Sequence, residues 1–171
     1  MNPDLIIGRL EHFAYALPNL VKGFSETEAR WRPSDGGWSI LEVVCHLADE
    51  EEHDFRKRLE LLLTAPERPW PRLNVDEMVE EGNYNERDLA REAERFQRER
   101  LRSVRWLRST GTADWTATKD HPKLGSIRAG DLLASWAAHD ALHLRQIARR
   151  FHDLAIRDAP GFATTYAGTW Q

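Results

Sequence analysis

The stretch LLASWAAHDALHLRQIARR, residues 132–150, places two histidines four residues apart inside an apolar stripe. Leu132, Trp136, His139, His143 and Ile147 recur at spacings of three and four, which puts them on one face of an α-helix. An unpartnered imidazole on such a face loses its hydration at a cost of about 1–3 kcal/mol. Any apolar side chain would pack there more cheaply, so the pair implies a partner elsewhere in the chain.

Outward from that helix, a period near 3.6 dominates the sequence and nothing alternates cleanly with period two. The link DWTATKDHPKLGS leads to Ser126, an expected N-cap, and the last helix runs from there to about Phe151, with Gly130 weakening its first turn. Before it, a helix is expected over Asn85–Ser109, with Leu89, Phe96, Val104 and Leu107 inward and Gly111 as its stop. Earlier still, Ser39 and Glu42 in WSILE form a capping box that opens a helix reaching about Leu63, before Pro66. The proline-rich link APERPWPRLN is no helix interior, and a short helical piece follows around Val75–Glu81. The first helix spans about Asp4–Lys22, with Leu5, Leu10, Phe13 and Leu17 inward and Pro18 near its end; WRPSDGG then breaks regular structure. Residues 158–171 show no period. Four long amphipathic segments joined by long links predict an all-α four-helix bundle over 1–171, with room for crossover connections.

A chain of 171 residues with a single cysteine, Cys45, and a net charge of −4 is sized for one domain and holds no internal disulfide. The N-terminus lacks a basic region followed by a long apolar run, and no stretch approaches the roughly 18 apolar residues of a membrane span. A cytoplasmic protein with neither membrane nor nucleic acid as partner is expected. The third helix is arginine-rich, but Glu86, Glu92, Glu94 and Glu99 are interleaved with Arg87, Arg91, Arg95, Arg98 and Arg102. Such mixing solubilises a helix and gives no basic stripe.

The partner sought for the histidine pair is His46, which shares the inward side of the second helix with Ile40, Val43 and Leu47. A histidine pair at this spacing is often no more than a half-buried helix face. A third inward imidazole on a facing helix points instead to one metal ion held by His46, His139 and His143. Three imidazoles plus an open position is the pattern of a catalytic divalent site, suited to zinc first and nickel next. Glu50, one turn after His46, is the expected base or ligand-orienting residue, and Asp49 is the weaker choice. Asp140 diverges about 100° from His139 and is expected to face another surface. The other acids of DEEEHD read as a solvated face. His53 stands roughly 10 Å beyond His46 along the helix, too far to share its ion. His121 belongs to a loop, and Cys45 packs as a small hydrophobe.

The runs WSILEVVCHLADEE and LLASWAAHDALHLRQIARR, a bundle's length apart, resemble the DinB/YfiT-like family, and EEGNYNERD and HPKLGSI strengthen the likeness. The resemblance implies a four-helix bundle with a three-histidine metal site at His46, His139 and His143. It also implies a small-molecule substrate, and homodimers are common in the family. Some relatives use a low-molecular-weight thiol as cosubstrate in S-transfer, the leading expectation here; others are taken for metal-dependent hydrolases. A metal-binding stress or interaction protein without catalysis is the remaining alternative.

Overall fold

The structure, a computed structural model, describes residues 1–72 and 74–170, the side chains of residues 75, 76 and 80 aside; Leu73 in the proline-rich link and Gln171 at the end of the tail lie outside it. Four long helical segments form the bundle. The first is α1 (Pro3–Val21), followed by the short α2 (Glu26–Arg30). The second is broken into α3 (Ile40–His53) and α4 (Phe55–Thr64). After α5 (Val75–Glu81) and a 3-10 turn at Tyr84–Glu86 comes α6 (Leu89–Ser109). A hairpin of β1 (Thr118–His121) and β2 (Gly125–Arg128) precedes α7 (Ala129–Arg157).

Local chemistry sets the ends. Ser39 caps α3 in a reciprocal box with Glu42, as its spacing predicts, and a second box, Ser25 with Glu28, opens α2. Asp88 caps α6, so the helix starts later than Asn85. Gly111 takes a φ of 56° just beyond the C-cap Thr110, the left-handed turn that ends a helix.

The packing order is not sequential. α1 lies against α6 and α7, and α3 lies against the same two helices. The ring therefore runs α1–α6–α3–α7, and both α1 to α3 and α6 to α7 are diagonal steps. Their connections must cross the ends of the bundle, which accounts for their length.

Two apolar clusters fill the bundle, one on either side of a polar layer. One holds Phe13, Leu17, Val43, Leu47, Phe96 and Ile147; the other holds Leu10, Leu59, Val104, Leu107, Leu133 and Trp136. Between them each of α3, α6 and α7 contributes a charged side chain: Glu51, Arg100 and Asp140.

Several expectations give way. Leu5 is 60% exposed, and Ile7 faces the core in its place. The second helix does not continue to Leu63; it breaks at Asp54, whose φ of −116° and ψ of −93° leave the helical region. Ser126 is no N-cap: it pairs with Asp120 in the hairpin, and α7 begins three residues later behind Arg128. The hairpin carries no period-two signal because neither strand buries one face completely. Residues 158–170 form turns and a 3-10 turn at Thr165–Ala167.

Candidate metal centre

His139 and His143 project from the same face of α7, and their Nε2 atoms are 2.9 Å apart. His46 enters from α3, its ring centroid 4.6 Å from that of His143 and 5.4 Å from that of His139. One ring nitrogen from each lies within 4.8 Å of the others. Ligand atoms around a tetrahedral ion at 2.0–2.1 Å stand roughly 3.3 Å apart, so small side-chain adjustments suffice to close the set on a metal.

The surroundings select the protonation state such an ion requires. Burial, reinforced by His143, pulls the His46 imidazole down to about 4. Burial and the two neighbouring rings pull His139 down to about 3. His143 is lowered by burial, against an opposing hydrogen bond from Gln146. All three are neutral near pH 7, with lone pairs to give. The Gln146 Oε1 atom lies 2.7 Å from His143 Nδ1. With the amide oxygen so assigned, Nδ1 carries the proton and Nε2 keeps its lone pair, the arrangement that would orient a histidine for a metal.

Two aromatic rings wall the site. Trp38, at the mouth of α3, lies 5.1 Å from His46 and stacks parallel to His143 at 6.5 Å. Phe55 meets His139 edge-on at 5.2 Å and stacks on Trp136 at 5.5 Å. Phe55 is the first residue after the break at Asp54, which gives that irregularity a consequence: it redirects the chain so that α4 closes over the histidines.

Glu50 is buried, with its Oε1 4.0 Å from His46 Nδ1. Burial first, then the neighbouring Asp54 carboxyl, push it up to about 8. Asp49 is committed elsewhere: it accepts a hydrogen bond from the Tyr84 hydroxyl and an ion pair from Arg95 at 2.6 Å. Arg95 also binds Glu52 at 2.9 Å, so the group formed by Asp49, Glu52 and His53 already holds a cation. His53 is half exposed, and Lys57 Nζ approaches it to 3.3 Å. The Nδ1 of His121 accepts the Lys123 and Leu124 amides, tying the hairpin turn. Cys45 is fully buried, and burial pushes its thiol up to about 12.

The reading of the other acids of DEEEHD as a solvated face is wrong for Glu51, which is buried. Asp140, expected to face away, turns inward as well. Arg100 explains both. It donates to Glu51 at 2.5 Å, binds Asp140 through two parallel bonds of 2.6 and 2.7 Å, and reaches the Leu10 carbonyl at 3.4 Å. A single guanidinium thus joins all four long helices. Trp136 Nε1 and Ser103 Oγ complete the set on Glu51, at 2.7 and 3.0 Å. Burial lowers the pKa of Arg100, but the two carboxylates more than reverse it, so it stays charged. Because Glu51 shares α3 with His46 and Asp140 adjoins His139, this layer fixes the spacing of the two histidine-bearing helices. The clue lay in α6, where Phe96, Arg100, Ser103 and Leu107 make one inward stripe at helical spacing.

Residues 9–147 match the DinB superfamily. The chain belongs to that superfamily. Among its relatives, an Oceanobacillus iheyensis protein named “putative metal-dependent hydrolase” is 29% identical over 144 residues, covering 82% of this chain and 81% of its own. The fold matches YfiT from Bacillus subtilis with a TM-score of 0.80 at 21% identity, over 90% of this chain and 87% of that one. YfiT is described as a probable metal-dependent hydrolase with an unusual four-helix bundle topology. The diagonal helix order described above is the DinB-like bundle of this chain.

Proposed function

We propose that this DinB-superfamily protein is a divalent-metal-dependent hydrolase whose ion is held by His46, His139 and His143. The observation that carries the reading is the convergence of three neutral imidazoles from two helices, His46 and His143 buried and His139 half-buried. The donor set fits zinc and leaves a fourth position for a reactant. An ion bound there supplies Lewis acidity and brings the pKa of water toward about 7. His143 is held in its ligating tautomer by Gln146, while Trp38 and Phe55 limit water around the rings. Glu50, whose carboxylate form an adjacent cation would favour, stands beside His46 to take a proton from water and return it to a leaving group. The relatives' names speak of hydrolases, which supports the same choice. S-transfer with a thiol cosubstrate rests on the family resemblance alone, and no described residue selects a thiol.

The test is a panel of chromogenic esters, amides and phosphoesters offered to zinc-loaded and chelated protein. Turnover should require the metal, and Glu50→Gln should keep the metal while lowering turnover by a factor of about 10²–10⁴. Hydrolysis indifferent to chelation would reject the reading. Turnover appearing only with a thiol and an electrophile would replace it by S-transfer.

A further inference from the structure

One turn beyond His143, the face of α7 that carries His139 and His143 runs into a cleft of about 560 Å³. Its α7 wall is Leu142, Arg145, Gln146, Arg149 and Arg150; Asp35 and Trp170 line the other side. Two elements connect it to the histidines. Gln146 faces the cleft and bonds His143, and the loop that brings Asp35 to the cleft continues to Trp38 against His46 and His143.

The cleft carries an excess of positive charge. Arg150 is 8% exposed, yet its Nε and Nη1 find no hydrogen-bond acceptor. The nearest carboxylate, Asp153, lies 3.4 Å from Nη1 and is shared with Arg149, which holds it more closely at 2.8 Å. Gly37 leaves room for the guanidinium: a Cβ there would sit 3.3 Å from Arg150 Nη2. Arg149 lies 5.7 Å from the Trp170 ring centroid, so an aromatic surface adjoins the charge. Asp35 Oδ1 is occupied by the Gly37 amide. Three guanidiniums therefore face two carboxylates, each of which is already engaged. A buried guanidinium short of acceptors is a costly arrangement for a folded chain and a favourable one for an incoming oxyanion.

We propose that this cleft binds an oxyanion, a carboxylate or phosphate carried by a small molecule, roughly 10 Å along α7 from the histidine site. It is the anionic end of the substrate whose other end reaches the metal; that role rests on the hydrolase reading, whereas the binding itself does not need the ion. Arg150 supplies the buried charge, Arg145 and Arg149 the outer charge, and Trp170 the apolar wall for the linking carbons. Substrates with an anionic group at that distance from the scissile bond should be preferred to neutral ones.

Inorganic phosphate and succinate are the probes, titrated into full-length protein with and without zinc. Binding is followed by the Trp170 indole and Gln146 side-chain amide NMR signals. Both anions should bind saturably in either state. Arg150→Met should weaken them about tenfold, as expected for one lost charge-assisted bond. Arg145→Gln, at an exposed position where folding is not at stake, should weaken them by a smaller factor and steepen no other transition. Absence of saturable binding, or binding untouched by both substitutions, overturns the proposal. So does binding abolished by chelation, which would place the anion on the ion. If the protein takes up no zinc yet binds anions in this pattern, the cleft stands and the hydrolase reading falls.

Discussion

His46 and His139 are held as neutral bases by burial, with folded-state pKa values of about 4 and about 3 against an ordinary value of 6.5. The unfolded chain takes up protons first as pH falls, so the metal-free protein should lose stability from about pH 6.5 downward through pH 4. Above pH 6.5 this contribution is complete. Glu50 acts in the opposite sense: raised to about 8, it stabilises the metal-free fold while protonated and loses that contribution as pH rises from 4.5 to 8. Imidazole Cε1–H chemical shifts of the metal-free protein should show His46 and His139 still neutral at pH 5.5. Midpoints near 6.5 would mean that the rings are solvated and the site is not formed. The convergence of the three histidines was legible, because i to i+4 spacing inside an apolar stripe specifies direction as well as type. Asp140 was not, because the 100° step correctly turned it away from His139 but could not reveal Arg100 waiting on another helix.

Arg100 decides how the helices stand relative to one another. Its guanidinium is bonded to α1, α3 and α7 from α6, in a layer that separates two apolar clusters. Arg100→Ala would leave Glu51 and Asp140 buried as uncompensated carboxylates and should cost about 3–5 kcal/mol in chemical denaturation. The triple substitution Arg100→Met, Glu51→Leu, Asp140→Leu should recover much of that loss. Equal loss in both variants would show that packing volume, not charge pairing, sets the stability. At this scale the sequence was informative where a cap or an apolar period marks the element, as at Ser39 and in α7. It was silent at Asp54, where neither proline nor glycine announces the break. It was silent again at the hairpin, whose short strands are mostly exposed and leave no alternation to detect.

Across the whole molecule, the order α1–α6–α3–α7 brings the second and fourth long helices into contact, and with them His46 against His139 and His143. Four amphipathic helices could be counted from periodicity, but periodicity does not say which faces meet. The long links allowed a crossover without requiring it. No described helix is long and apolar enough to cross a membrane. The three histidines thus depend on a topology in which the first and second long helices, and likewise the third and fourth, are diagonal in space. The most direct test of that account is metal stoichiometry, measured by elemental analysis after zinc loading and exhaustive dialysis of the wild type and His143→Ala. One tightly held zinc per chain in the wild type, and near none in a variant that keeps its helical circular dichroism, is the predicted result. A full equivalent of zinc retained by His143→Ala would contradict it.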